Sequence, residues 1–194
     1  MAIRKIIQAG HPSLKTKNRK IVNLKSSNVK KLIKSLKDTM YKTGLIGVAA
    51  PQIGENYMIF ITHPRNTKAR KLFREDVLRV YINPEIVSFS KDKNVIYEGC
   101  GSLVDGELFG PVLRPKEITI EAYDEDGNKF LLACDGLLAR VIQHEYDHLM
   151  GTEFIQKVSD YNKILDGIFY RKNIRNSKAQ TEASKITKVE HNRF

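Results

Sequence analysis

Apolar residues recur along this chain in two rhythms. Between Ser26 and Gly44, the residues Val29, Leu32, Ile33, Leu36 and Met40 follow the i, i+3, i+4, i+7, i+11 rows of one helix face, with lysines between them. Ser26, Ser27 and Asn28 offer N-caps and Gly44 a left-handed stop, so the spacing predicts an amphipathic helix running to about Thr43. From Tyr57 to Phe130 the texture is that of strands. YMIFIT, VYINPEIVSF, NVIYEG, EITIEAY and KFLLAC are short runs rich in Ile, Val, Phe and Tyr, and DEDGN at 124–128 supplies an Asp-Gly hairpin turn. HPRNTKARKLFRED (63–76) reads as an exposed loop.

The helical rhythm returns in DGLLARVIQHEYDHLM. Leu137, Leu138, Val141, Ile142 and Leu149 form its apolar stripe, Asp135 is placed to cap it and Gly151 to end it. A further helix is predicted from Ser159 to about Ile174, on Tyr161, Ile164, Leu165, Ile168 and Phe169. The last twenty residues are polar and lack periodicity, so they are expected to be frayed or disordered. No internal repeat is visible. The order predicts an α+β fold: antiparallel β-sheets around a central helix, with an N-terminal amphipathic helix and a C-terminal one.

At 194 residues the chain can bury one core without staples, and a single domain over 1–170 followed by a basic tail over 171–194 is expected. No apolar run of ~18 residues could span a membrane, and MAIRKIIQAG lacks the apolar stretch and cleavage site of a secretory signal. Its alternation of Ile3, Ile6 and Ile7 belongs to the fold, so a cytosolic location is expected, bacterial first, with an organelle as the alternative. Cys100 and Cys134 do not make a disulfide framework. The net charge of +11 is uneven. Residues 1–43 carry twelve Lys/Arg against Asp38 alone, residues 171–194 carry +5, and the middle is mildly acidic. Such ends suit a polyanion such as RNA, or a solvated helix surface and tail.

Candidate chemistry centres on QHEYDHLMG (143–151). His144 and His148 lie one helical turn apart and can reach a single metal ion, and Glu145 stands where it could take a proton from a water held there. The alternative is two histidines on a charged helix surface. A catalytic site calls for a third ligand and an open position. Position 154, where a short-spaced third histidine would fall, is Phe, and Glu182 or Glu190 would serve only from an ordered tail. Upstream, Cys100 in YEGCGS offers a thiolate suited to zinc or ferrous iron. Cys134 ends an apolar run and reads better as a buried core residue.

Three ordered motifs, GVAAPQ (47–52), EGCGS (98–102) and QHEYDHLMG, resemble those of the peptide deformylases, approximately G-x-G-x-A-A-x-Q, E-G-C-x-S and H-E-x-x-H. IRKIIQAGHPSL, INPEIV and EAYDEDGNKFLLACDGLLARVIQHE extend the similarity over residues 1–170. The resemblance implies that Cys100, His144 and His148 hold the metal, ferrous iron, with zinc, nickel or cobalt as substitutes. It implies Glu145 as general acid/base, and Gln52 with the Gly101 N–H as oxyanion donors. Taken alone, Gln52 is as readily an ordinary surface glutamine. The implied reaction removes the N-formyl group of the initiator methionine from nascent peptides at the ribosome. Ile46, Gly47, Val48, Gly99, Leu137 and Val141 are the expected substrate contacts, with Ile46, Val48, Leu137 and Val141 as apolar walls or as plain core.

The chain departs from that pattern in three places. Leu45 stands where the first motif has its leading Gly, Gly101 follows the cysteine where Leu is common, and LVDGELFGPVLRP has no arginine near its start. Two other readings accompany the first: a divergent homologue acting on another N-formyl or N-acyl group, and a basic ribosome- or RNA-binding protein with a structural metal. The partners expected are nascent peptides, with ribosome contact through the basic helix or tail, and neither membrane nor DNA.

Overall fold

A computed structural model describes residues 3–67 and 70–194. Helix α1 (Ser27–Thr43) begins where the Ser26 side chain accepts from the Val29 N–H and ends at Gly44, whose φ of 74° is left-handed. Val29, Ile33, Leu36 and Met40 are buried from its apolar face.

Strands β1 (Gly47–Ala49), β2 (Ile59–Thr62), β3 (Arg79–Phe89), β4 (Lys93–Gly99), β5 (Leu108–Pro115), β6 (Glu117–Tyr123) and β7 (Lys129–Asp135) follow. Then come helix α2 (Gly136–Leu149), β8 (Leu165–Asp166), α3 (Gly167–Asn173), α4 (Lys178–Ala183) and β9 (Val189–Arg193). Two antiparallel sheets result, six-stranded β1-β2-β3-β6-β7-β9 and three-stranded β4-β5-β8.

Every residue of β2 is buried because both faces of the large sheet are covered there. Val48, Ile59 and Ile61 pack with α1, whereas Ala49 and Phe60 join the core under α2 with Leu138, Ile142 and Leu149. The α+β class and the central helix agree with the sequence.

Three expectations are corrected, and one strand is added. The helix predicted over 159–174 is broken into a turn, β8 and α3. Asp166 ends the preceding segment by accepting from the N–H groups of Ile168 and Phe169, at 2.8 and 3.0 Å, and Leu165 pairs with Phe109 instead. Its apolar positions Ile168 and Phe169 are exposed.

The tail is ordered. β9 pairs along β7, and Ile186 enters the main core. Asp135 stands at the start of α2 but its side chain does not cap it. The carboxylate accepts instead from the N–H groups of Thr187 (2.7 Å) and Lys188 (2.8 Å), so it anchors the tail.

Finally, β5 was hidden by its prolines. Pro111 and Pro115 sit opposite Tyr97 and Lys93 at alternate pairs where no N–H is required. The 63–76 loop carries neither helix nor strand in its described part, and its residues 68 and 69 lie outside the described residues.

Candidate metal centre and cleft

Three elements meet at one point: the β1 strand with its following turn, the end of β4, and α2. Cys100 is set by β4 and the histidines by α2, and their donor atoms all lie within 4.8 Å of one another. Cys100 Sγ is 3.2 Å from His148 Nε2. Cys134 is wholly buried in the main core, and neither Glu182 nor Glu190 joins the cluster.

The ring of His144 is fixed from behind. Its Nδ1 lies 3.0 Å from Glu98 Oε2, which leaves Nε2 for the cluster. Arg114 donates to both Glu98 oxygens, at 2.7 and 3.0 Å, and Arg140 donates to one of them at 2.9 Å. Arg114 also reaches Asp147 at 2.6 Å. Burial would raise the Glu98 carboxyl, but the Arg114 charge and the His144 hydrogen bond hold it well below the usual carboxylate range.

Burial likewise opposes ionisation of the Cys100 thiol. The His148 charge and hydrogen bonds from both histidines outweigh it and place the thiol well below its ordinary value, as a metal-binding thiolate requires. Burial pushes the Glu145 carboxyl up to about 7, against the pull of His144 and His148. Glu145 Oε2, buried beside this cluster, has no protein partner among the described residues. One thiolate and two imidazoles beside a buried carboxyl form a donor set that fits a divalent transition metal with an open position. The described residues bring no fourth donor to the cluster, as a closed structural site would need.

Gln52 is 1 % exposed. Its Oε1 accepts from the Ala49 N–H at 2.9 Å, which turns Nε2 towards Cys100 Sγ (3.4 Å) and Ser102 Oγ (3.3 Å). The surface-glutamine alternative is thereby ruled out. Gly47 is a close-approach glycine, since a Cβ there would collide with Glu145 Oε1 and Val141 Cγ1. Gly101 holds its carbonyl to Gln8 Nε2 at 2.8 Å. A Cβ on Gly101 would lie 3.1 Å from Leu45 Cδ1, so the two departures from the family pattern face each other and Leu45 fills the space above Gly101.

A cleft opens beside the cluster. Ile46, Gly47, Gly99, Leu137 and Val141 line it; Val48 does not, because strand alternation turns it to the α1 core. The sequence reading also missed much of the site. Ile96, Phe109 and Arg140 line the cleft, as do Tyr170, Gln180 and Lys185 from the C-terminal segment. The one available signal was Glu98 beside the motif cysteine, together with an arginine, Arg140, one turn before His144 on the same helix.

The family model for polypeptide deformylases matches residues 3–163. The peptide deformylase of Natranaerobius thermophilus is 36% identical over 160 residues, covering 82% of this chain and 95% of that protein. Chloroplastic peptide deformylase 1B of Solanum lycopersicum is 35% identical over 164 residues, covering 84% of this chain but 55% of that protein. The chain therefore spans little more than half the length of that plastid relative. Among solved structures, the Met-Ala-Ser-bound peptide deformylase of Acinetobacter baumannii aligns with a TM-score of 0.77 at 27% identity, covering 81% of this chain and all of that one. The peptide deformylase of Thermotoga maritima aligns with a TM-score of 0.73 at 30% identity, covering 82% of this chain and all of that one.

Proposed function

This chain belongs to the peptide deformylase family, and from that premise we propose that it hydrolyses the formyl C–N bond of formyl-methionine at the start of newly made peptides. Water adds to the formyl carbon, the C–N bond breaks, and formate and a free amine leave. The observation that carries the reading is the convergence of Cys100, His144 and His148 beside a buried Glu145 with one unpartnered oxygen.

The family is metal-dependent. We assign the ligand set to Cys100, His144 and His148 and the native ion to ferrous iron, with zinc, nickel or cobalt as substitutes, since a thiolate with two imidazoles suits all of them. When bound, the ion supplies Lewis acidity towards water and towards the formyl oxygen.

The protein's own groups do the rest. Glu145 takes the proton from the attacking water and returns it to the departing nitrogen. Gln52 Nε2, locked by the Ala49 bond, and the Gly101 N–H donate to the formyl oxygen as it gains charge; one such donor is worth about 3 kcal/mol. Ile46, Leu137 and Val141 enclose the methionine side chain, in keeping with the neighbour solved with Met-Ala-Ser bound.

The test is formate release from formyl-Met-Ala-Ser. Glu145→Gln, at unchanged metal content, is expected to lose at least about a thousandfold in kcat. Retained turnover would remove Glu145 from the mechanism.

Ribosome contact is assigned to the exposed lysines of α1 and its approach, among them Lys25, Lys30, Lys31 and Lys34. Reversing Lys30, Lys31 and Lys34 to Glu is expected to abolish salt-sensitive co-sedimentation with ribosomes while formate release persists. The relatives come from bacteria and plastids, so the expected compartment is one where translation starts with formyl-methionine, the bacterial cytosol first.

A further inference from the structure

β4 is the outer strand of the small sheet, so one of its edges has no strand partner among the described residues. Its pairing with β5 alternates. Lys116 N–H bonds the Asp92 carbonyl at 2.9 Å, and the same parity carries Asn94, Ile96 and Glu98 towards β5. Val95, Tyr97 and Gly99 therefore turn their backbone groups to the free edge. At Tyr97 both groups are engaged by one side chain. Gln180 Oε1 accepts from Tyr97 N–H at 3.1 Å, and Gln180 Nε2 donates to the Tyr97 carbonyl at 3.2 Å. That is the reciprocal pair an extended peptide residue makes with an antiparallel strand, reproduced by a carboxamide.

We infer that Gln180 ends the peptide-binding edge of β4, so that a substrate can pair with Gly99 but makes no further backbone pair along that strand. The inference rests on the deformylase reading and deepens it. Gly99 adjoins Cys100 and lines the cleft. A peptide antiparallel to β4 and paired at Gly99 would make its next pair two residues further on, at Tyr97, where Gln180 already sits.

The plug is firmly held. Gln180 is 9% exposed, its N–H donates to the capping Ser177 Oγ, and its Nε2 lies 3.4 Å from Tyr170 Oη. Tyr170 in turn stacks on Phe109 of β5 with centroids 3.9 Å apart. Asn94 Nδ2 bonds the Ala183 carbonyl at 3.1 Å, fastening the far end of α4 to the same edge. Tyr170, Ser177, Gln180 and Ala183 all lie beyond residue 163, where the family match stops, so the group that truncates the edge comes from this chain's C-terminal segment.

The experiment uses metal-loaded full-length protein and formyl-Met-Ala peptides extended one alanine at a time to six residues. Each variant is referred to its own rate on the dipeptide. In the wild type kcat/KM is expected to stop rising once the residue paired with Gly99 is present. In Gln180→Ala it is expected to rise about tenfold more at the residue that reaches Tyr97, through KM and not kcat. Gln180→Glu keeps the acceptor and loses the donor, and is expected to fall between them. Equal change at every length in both variants, or a wild-type rate that itself climbs past that residue, would overturn the inference. A parallel titration with unformylated Met-Ala peptides reads the same length step as a change in Kd. Absence of formate from every substrate would count against the deformylase reading, whereas a missing length step in both assays counts against Gln180 alone.

Discussion

Leu45 and Gly101 show how two departures from a motif can be one change. Where the family pattern has a small residue and then a large one, this chain has them in reverse order, and the leucine side chain lies over the glycine. Gly101→Leu alone places new atoms against Leu45 beside the metal cluster and is expected to lower kcat/KM at least about tenfold. The Leu45→Gly/Gly101→Leu double variant is expected to recover most of that loss; a cycle in which the two effects simply add would show that the residues do not compensate. At this scale the sequence was readable where chemistry is local. His144 and His148 are one turn apart, and their helix identifies them. Glu98, Arg114 and Arg140 were not readable as a set, because they come from β4, β5 and α2 and meet only when the small sheet closes on the helix.

Elements carry a second lesson, in how Glu98 joins them. One carboxylate receives Arg114 of β5, Arg140 of α2 and the ring of His144, so it positions the ring we assign as a metal ligand and balances two buried cations together. Glu98→Gln is expected to weaken metal binding by about 10- to 100-fold and to destabilise the fold by about 3–5 kcal/mol. Metal titration and denaturant unfolding read the two separately, and an unchanged metal affinity would mean that His144 does not depend on Glu98. The elements themselves were legible where one face stays buried throughout, as in α1 and α2. They were misread where a side chain competes for the backbone. Asp166 stops a helix that hydrophobic spacing alone would extend, and Pro111 disguises a strand whose alternate positions need no N–H.

For the molecule as a whole, the C-terminal segment is the part that the sequence concealed. Polar composition suggested a loose end, yet few contacts suffice to order it: Ile186 in the core, Asp135 binding two N–H groups, and β9 completing the sheet edge of β7. Removing residues 164–194 uncovers that edge and empties the Ile186 site. The expected result is a fall in melting temperature of about 10 °C or more, and an unchanged melt would show the segment to be an appendage. The most direct test of the account is metal removal and return. Chelator-treated protein is expected to release no formate from formyl-Met-Ala-Ser, and anaerobic ferrous iron to restore turnover in proportion to the metal bound. Cys100→Ala is expected to neither bind the ion nor recover. Full activity in the metal-free protein, or tight metal binding in Cys100→Ala, would contradict the assignment of Cys100, His144 and His148 as the catalytic metal centre.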